Sequence, residues 1–521
     1  MVMELILPRR TYCMAIGYNG TNYYGMQIQS NTNNCKYIET IESKLEEALI
    51  KSNMVVIRKS KDEYVNLKEF NSSSFLTNIN WTRVGRTDKG VHSVCQIVSF
   101  RGSLKVSDND LQEELNIIMK YSEEDLNSLY NKIREYNTIK NPLITNPLLH
   151  NCNNKKNIKS DKSKKESLDI VIEETIQNYL LKKLNLILPQ TIRIFTLIRV
   201  SKNFDARKDC SRRQYEYIMP EYVLYPVKFI KQDLYEKLQG IAQSRSIENK
   251  SNFKSKYKNK RNRDDLINDY NYCEDEDIDE NNNENDQDLK ELRIKRYNQH
   301  ELLRSNNYNL DHYPYIEEIC FNRIKEYELN ELELERFSKI LNQYTGTHNF
   351  HNFTSRLEYN NASAWRHIDK INVNRLPVKN GLKLLKITIK GQSFLLHQIR
   401  KIIALAIEIY RGSAPLSSIN LCFGSRKYSI HLAPSQGLLL DRVYYDHYNQ
   451  RINSSVNLND VNIPYLIFDD LKLQYVKLIE EFKINQIYPV IGKYILDGKW
   501  NEWIDTINRH PFIIDNFAMD I

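Results

Sequence analysis

The chain has 521 residues and a formal net charge of +8, from 74 Lys and Arg against 66 Asp and Glu. This length allows two packed lobes with insertions, and the cationic excess is typical of proteins that bind a polyanion such as nucleic acid. The eight cysteines lack Cys-x-x-Cys spacing, and no apolar run approaches the roughly 20 residues of a membrane span. The composition therefore argues against a zinc finger, a disulfide scaffold and a membrane-spanning protein.

The N-terminal segment predicts a strand and then a helix. Large apolar side chains stand at every second position over residues 12–18, which is typical of a strand. The pair Asn19-Gly20 marks a turn. Apolar residues at helical spacing then run through residues 38–49 and predict an amphipathic helix that packs on a sheet.

The stretch 85–92 reads Gly-Arg-Thr-Asp-Lys-Gly-Val-His and concentrates several chemical functions. Its carboxylate, Asp88, is flanked by two cations, and the two glycines allow a sharp turn with unusual backbone angles. Alternation over residues 94–100 predicts a strand that leaves the stretch. Two interpretations of Asp88 follow: an ordinary turn residue, or a lone carboxylate that reaches into a cleft between two strands.

Two polar segments predict insertions. Residues 104–168 are rich in Asn, Lys and Ser, with some helical pattern near 111–121. Residues 242–312 join a basic run to a tract that holds nine acidic residues between positions 274 and 288. Such compositions bury too little apolar surface to order themselves, and the basic run is typical of a nuclear-localisation signal.

Periodicity predicts the remaining elements. Tyr215 lies on a predicted strand, where it could equally be a core aromatic, and Arg400 lies one residue off the buried stripe of a helix that ends at Gly412. The elements are a helix over 179–188, a strand over 192–200, a strand through 215–219, a helix through 334–341, a strand through 385–389, a helix from 395 to 409, and a tail helix with a stripe of Leu471, Tyr475, Leu478 and Phe482.

The loop 344–354 holds two histidines, His348 and His351. Two imidazoles could suggest a metal, but the loop offers no third ligand, so we predict no metal site there.

Several blocks of the chain resemble, in the same order, those of the TruA family of RNA pseudouridine synthases, and most closely its eukaryotic tRNA branch. The resemblance covers about two thirds of the chain and leaves out both insertions and most of the tail. The blocks are Tyr-Asn-Gly-Thr…Gly-Met-Gln at 18–27, the stretch 85–92, Arg-x-Tyr-x-Tyr at 213–217, the loop 344–354, the segment 391–401 with its His-Gln-x-Arg unit, and Ala-Pro-x-x-Gly-Leu-x-Leu at 433–440.

The resemblance implies roles for individual residues. Asp88 would be the catalytic aspartate, Arg400 would pair with it and keep it ionised, and Tyr215 would lie against the target base. The residues implied in substrate binding are Arg86, Thr87, Lys89, His348, Phe350 and Leu438.

The resemblance also implies the architecture. The fold would be α+β and two-lobed, with an antiparallel-rich mixed sheet, flanking helices and a central basic cleft. The implied segments are an N-terminal catalytic lobe at 1–103 and 169–241, a low-complexity insertion at 104–168, a disordered insertion at 242–312, a C-terminal lobe at 313–450 and a helical extension at 451–521.

The implied activity is isomerisation of specific uridines to pseudouridine in folded tRNA, after the target base has been flipped from its stack. Other structured RNAs are open as substrates. Neither a metal nor a nucleotide cofactor is needed, because one carboxylate suffices. The relatives suggest a monomer, and the basic run favours the nucleus over the cytoplasm or mitochondrion. No membrane is involved.

Two other functions stay open. The chain could be a non-catalytic RNA-binding protein or tRNA chaperone on the same scaffold, although Asp88, Tyr215 and Arg400 are all intact. It could also be a two-lobed carboxylate enzyme such as a glycosidase. That class usually needs two carboxylates across a cleft, and the stretch 85–92 offers one.

Overall fold

The structure is a computed structural model that describes residues 4–29, 38–58, 64–66, 75–107, 109–111, 114, 162–226, 327–355, 357–379, 381–455 and 473–509. The second predicted insertion, most of the first and Leu471 lie outside these residues. The chain divides into two compact units. One comprises Met1–Leu224 and Glu328–Ile521 and holds all the elements given below; the other comprises Tyr225–Tyr327.

Across the described residues, twelve strands form one sheet. They are β1 (Glu4–Ile6), β2 (Arg10–Tyr18), β3 (Val55–Arg58), β4 (Tyr64–Asn66), β5 (Thr82–Arg83), β6 (His92–Ser107), β7 (Ile192–Val200), β8 (Arg212–Pro220), β9 (Gly346–Asn349), β10 (Trp365–Lys379), β11 (Leu382–Gly391) and β12 (Leu438–Tyr444).

The longest strand, β6, organises the sheet. It pairs antiparallel with β1, β2, β3 and β5, and β2 pairs in turn with β7. At its start, β6 pairs in parallel with β12 through Leu439 opposite His92. On its other side β12 pairs antiparallel with β8, and the order continues through β11 and β10 to β9. Strands from the two ends of the chain therefore share one hydrogen-bonded sheet.

The helices are α1 (Ile41–Ser52), α2 (Phe75–Asn78), α3 (Lys162–Ile187), α4 (Glu331–Asn342), α5 (Gln398–Arg411), α6 (Ser418–Phe423), α7 (Asp446–Ser455), α8 (Leu473–Phe482), α9 (Tyr488–Leu496) and α10 (Lys499–Arg509). One π-helical turn, Lys483–Ile487, joins α8 to α9. None of the described helices is long and apolar enough to cross a membrane.

Side-chain caps begin two of these helices. Thr40 accepts a hydrogen bond from the backbone N–H of Ser43, whose hydroxyl bonds back to Thr40, and Asn330 and Glu333 repeat the arrangement before α4. Each reciprocal pair satisfies two backbone N–H groups that a helix start would otherwise leave unpaired. At the other end of α5, Gly412 is left-handed, as the sequence predicts.

Several boundaries differ from the sequence predictions. β6 continues to Ser107, and Leu104 and Val106 are buried, so the insertion begins later than predicted. α3 begins at Lys162, well before the predicted position 179. The predicted tail stripe is wrong at Leu478, which is 45% exposed, because α8 buries only its end, at Phe482, against the ring of Phe195.

Helices pack against the sheet in two regions, one at the N-terminal strands and one further along the sheet. Under the N-terminal strands, α1 and α3 contribute Leu45, Leu49, Ile176 and Leu180 to one continuous cluster. Further along the sheet, α4 and α5 pack together through Phe337 and Tyr410, whose rings meet edge to face at 5.6 Å. The α+β class is confirmed by this mostly antiparallel sheet with helices. The two lobes, the basic cleft and the segment boundaries between lobes stay predictions.

Candidate active site

The stretch 85–92 connects β5 to β6, as predicted for a turn between two strands. Gly90 has the expected left-handed backbone, with φ of +78°, whereas Gly85 does not have a positive φ. The Gly85 carbonyl accepts a hydrogen bond from the buried Gln96 amide at 2.8 Å. This bond fixes the start of the stretch to the body of β6.

The first block, 18–27, packs directly against the stretch. The Met26 N–H donates to the Thr87 carbonyl at 3.1 Å, and the hydroxyls of Tyr18 and Thr87 share a hydrogen bond of 2.8 Å. A Cβ on Gly25 would lie 2.6 Å from the Thr87 carbonyl oxygen, and Gly25 has φ of +87°. The block thus holds the stretch by close backbone contact.

We expect Gly25→Ala to destabilise the protein more than Gly381→Ala does. Both glycines have positive φ, so an alanine at either position carries the left-handed penalty of about 1–2 kcal/mol. Only at Gly25 would the new methyl group also meet backbone, since Gly381 has no atom within 4 Å of the added carbon. In urea titration, Gly25→Ala should lower the free energy of unfolding by about 1–3 kcal/mol more than Gly381→Ala does. Equal losses in the two variants would contradict the contact.

His92 connects the stretch 85–92 to the block 18–27 and to the block 433–440 by hydrogen bonds. Its Nδ1 accepts from the Gly20 N–H at 3.2 Å, so Nε2 carries the proton and donates to the Gln436 carbonyl at 3.0 Å. Its side chain is fully buried, and burial lowers the pKa of His92 to about 4. A neutral imidazole therefore joins the stretch to the first and last blocks.

Stability should fall as His92 is forced to accept a proton. Because its pKa is about 4 in the folded protein and 6.5 ordinarily, the unfolded chain binds more protons between these values. The group's contribution is complete above pH 6.5 and is lost progressively down to pH 4, by about 3 kcal/mol. Unfolding free energies of wild type and His92→Gln across this window should differ in slope. Parallel curves would show that His92 is not held neutral.

Two basic side chains approach the Asp88 carboxylate. Arg400 places Nη1 3.7 Å from Oδ2 of Asp88, and His397 places Nε2 3.6 Å from the same oxygen. Asp88 keeps 13% of its side chain exposed to solvent. Burial lowers the pKa of Arg400, and Asp88 offsets part of that effect; the guanidinium stays charged.

The last block fixes Arg400 in place. Arg400 Nε donates to the Ala433 carbonyl at 2.6 Å, and the Ala433 N–H donates back to the Arg400 carbonyl at 3.4 Å. A guanidinium held through Nε can present its terminal nitrogens in one direction only. Asp88 therefore faces a cation whose position is set by the backbone of residues 433–440.

Tyr215 lies beside the stretch 85–92, since its hydroxyl would be 3.9 Å from a Cβ added to Gly85. Its side chain is 8% exposed and packs edge to face on Phe394, with ring centroids 5.3 Å apart. Burial raises the pKa of the Tyr215 hydroxyl to about 12, and the Asp88 charge adds to the rise while Arg213 opposes it. The structure thus places Arg400 beside Asp88 and Tyr215 beside the same stretch, and the roles of all three stay predictions.

The predicted substrate-binding residues differ in accessibility. Arg86 is exposed, and Lys89 lies over the ring of Tyr24, 4.3 Å from its centroid. Thr87 is buried and its hydroxyl bonds to Tyr18. Leu438 is 6% exposed at the start of β12. A role in substrate binding stays a prediction for each of them.

The loop 344–354 is held by aromatic packing. His348 stacks on Phe423 with ring centroids 4.2 Å apart, and its Nε2 bonds to the Thr345 carbonyl. Phe350 is fully buried against Phe353 and Phe423, so it could affect a substrate only through the packing of the loop. The part of the chain that the structure describes contains no group of three or more His, Cys, Asp or Glu arranged to hold a metal ion.

Sequence reasoning missed two residues of this site. His397 was noted only as part of the His-Gln-x-Arg unit, and periodicity gives no sign of its left-handed backbone. Glu42 is a charged residue of the amphipathic helix predicted over 38–49, yet it is 1% exposed and accepts hydrogen bonds from Trp81 Nε1 at 2.7 Å and from Arg83. A buried carboxylate on α1 thereby anchors the strand that leads into residues 85–92.

The arrangement suits reactions that one carboxylate can perform. Asp88 is partly exposed, is held by a fixed cation and lies close to a tyrosine, which fits a nucleophile or a general base. Each of these groups comes from a different block of the sequence. The blocks therefore meet at one carboxylate.

Curated proteins similar to this chain agree in their names. A tRNA pseudouridine synthase 1 from Candida glabrata is 28% identical over 520 residues, which cover 96% of this chain and 72% of that protein. The Saccharomyces cerevisiae protein of the same name is 27% identical, over 86% of this chain and 63% of its own length. A human pseudouridylate synthase 1 homolog is 35% identical over 36% of this chain and 42% of its own.

A family model described as tRNA pseudouridine synthase matches residues 340–446, a span that includes Arg400, the 344–354 loop and the last block. Residues 340–446 therefore match the tRNA pseudouridine synthase family, and the chain is similar to proteins named as such synthases over most of its length. The resemblance to the eukaryotic branch is thereby confirmed. The synthase is an isomerase. Its TruA-type blocks are the segments that supply Asp88, His397 and Arg400.

Proposed function

We propose that the synthase isomerises specific uridines of folded tRNA to pseudouridine, with Asp88 as its catalytic carboxylate acting on a base flipped out of its stack. The observation that carries the proposal is the approach of Arg400 to the Asp88 carboxylate, with Tyr215 beside the same stretch. The names of the fungal relatives support tRNA as the substrate.

The reaction rearranges bonds within one nucleotide. The bond between N1 of uracil and C1′ of the ribose breaks, and a bond between C5 and C1′ forms. The hydrogen on C5 leaves to solvent, and N1 gains a proton, so substrate and product are isomers. Asp88 would either attack the sugar or remove a sugar proton. Both routes use one carboxylate, and neither needs a metal or a nucleotide cofactor.

The neighbours of Asp88 fit supporting roles. The charge of Arg400 would keep the carboxylate ionised and oriented. Tyr215 would pack on the flipped base, where stacking contributes on the order of 1–3 kcal/mol, and Leu438 would close the pocket beside it. Arg86 and Lys89 flank Asp88 in sequence and would contact RNA phosphates, which predicts a salt-dependent affinity.

Two further properties belong to the proposal. We expect a monomer, and we expect the nucleus as the main compartment because of the basic run at 250–263. Size-exclusion chromatography with light scattering and imaging of a tagged chain would measure them, with the cytoplasm and mitochondrion as the competing locations.

The decisive experiment is tritium release from C5-labelled tRNA transcripts incubated with the full chain. Release that depends on enzyme and stops at a fixed number of sites per transcript would support the synthase activity. Tight binding without release across a panel of transcripts would instead favour a non-catalytic RNA-binding protein. Release of free uracil would favour a glycosidase. The two outcomes differ in the label, because free uracil keeps its tritium at C5 whereas isomerisation releases the tritium to water.

A further inference from the structure

We propose that His397 is a positioning residue that fixes the orientation of the Asp88 carboxylate, so that Oδ1 meets the substrate. The inference rests on the proposed role of Asp88 as the catalytic carboxylate. Its basis is the geometry at the start of α5, where His397 and Arg400 both approach one oxygen.

The backbone of His397 is unusual. It has φ of +65° and ψ of −4°, in the left-handed region. Among the described residues other than glycine, positive φ occurs elsewhere only at Asn53 and Asn80, and asparagine tolerates this region well. A histidine there costs about 1–2 kcal/mol, and such strain is typical of residues whose side chain must be aimed.

The side chain of His397 does not serve its own helix. His397 is the N-cap of α5 but makes no side-chain capping hydrogen bond. The amide of Gln398 accepts from the Leu395 N–H at 2.8 Å instead. The left-handed backbone turns the ring toward Asp88, and 16% of the side chain stays exposed.

Both contacts converge on one atom. His397 precedes the first residue of α5, and Arg400 lies in its first turn. Their nitrogens lie 3.6 and 3.7 Å from Oδ2 of Asp88. Two groups on one oxygen restrict rotation of the carboxylate about its last bond, which leaves Oδ1 as the oxygen that a substrate would meet. Orientation of this kind is worth much in rate, because a displacement of about 1 Å can cost 100-fold.

A purely structural role for His397 makes a different prediction. If the position needs only a residue that accepts positive φ, Asn and Gly should both replace histidine without loss, and Gly should raise stability. If the imidazole orients Asp88, both variants should fold and bind tRNA but react slowly. The comparison of His397→Asn with His397→Gly therefore separates backbone from ring.

The test is single-turnover tritium release by the full chain, with tRNA affinity and unfolding free energy measured for each variant. We expect the rate constant of both His397 variants to fall about 10- to 100-fold, with affinity unchanged. Imidazole added to His397→Gly should restore part of the rate, because it can occupy the space left by the ring. Asn53→Gly, which changes another left-handed position, should keep the full rate.

Three outcomes would overturn the inference: an unchanged rate in either His397 variant, a fall in rate matched by an equal fall in affinity, or a loss in His397→Gly that imidazole does not relieve. These results are distinct from failure of the proposed function. Wild type that releases no tritium overturns both, whereas active wild type, inactive Asp88→Asn and active His397 variants overturn this inference alone.

Discussion

Asp88→Asn is expected to abolish tritium release from labelled tRNA, with the single-turnover rate constant at least about a thousandfold below wild type. Asparagine keeps the size and polarity of the side chain, but it can neither attack the sugar nor remove a proton. Because tRNA contacts spread over a large surface, the affinity should stay within about threefold. The neutral amide leaves the buried charge of Arg400 without its partner, so the free energy of unfolding should fall as well and is measured beside the rate.

Asp497→Asn provides the matched control, since Asp497 is exposed at the end of α9 and the exchange removes the same charge. It should react like wild type. Persistent release by Asp88→Asn would remove Asp88 from catalysis and return it to the role of a turn residue. Loss of release together with loss of tRNA binding would indicate a defect in the stretch 85–92 as a whole.

Lys483→Met is expected to lower the free energy of unfolding by about 3–5 kcal/mol. Lys483 is 4% exposed, and its Nζ lies 2.5 Å from Oδ1 of Asp441 and 3.5 Å from Oε1 of Glu216. Although burial opposes its charge, the two carboxylates raise the pKa of Lys483 above its ordinary value. Removing the cation would leave two buried carboxylates on β8 and β12 with only the more distant Lys386 and Arg442, each at 3.6 Å, to offset their repulsion.

The measurement is urea unfolding at neutral pH, with Lys493→Met as control because Lys493 is exposed on α9. That control should change stability by less than about 0.5 kcal/mol. Isomerisation by Lys483→Met should also fall, since Tyr215 and Leu438 lie on the same two strands. An unchanged unfolding midpoint would show that the cluster contributes nothing net.

The candidate site residues Asp88, Tyr215 and Arg400 could be proposed from the sequence, but only from the motif blocks that resemble the family and not from hydrophobic periodicity. Asp88, Tyr215 and Arg400 fall on a loop, a strand and a helix whose patterns are locally clear. Their convergence depends on pairing between strands far apart in sequence, which no local pattern contains. The α+β class needed only the alternation of short strand and helix patterns.

The missed features share one physical cause, which is that tertiary contacts overrode local preference. His397 accepts a strained backbone, and Glu42 is buried on a helix face that its charge would place in water. No local pattern marks Lys483 among the lysines of the tail, because its two carboxylate partners lie on strands of the sheet that are distant in sequence. Leu478 shows the opposite error, an apolar residue that the pattern would bury but that stays exposed. Its helix packs against the rest of the protein only at its end, so the regular apolar stripe is not covered.

The parallel pairing of β12 with β6 has a consequence for synthesis of the chain. Ser93 donates to the Leu440 carbonyl across 347 residues of sequence, and β12 occupies the place between β6 and β8. A ribosome that adds about 5–20 residues per second needs roughly 20–70 s to pass from one partner to the other. Until β12 emerges, the nascent chain has Asp88 and Tyr215 but no strand to join them. The enzyme therefore cannot act on tRNA while most of its chain is still being made.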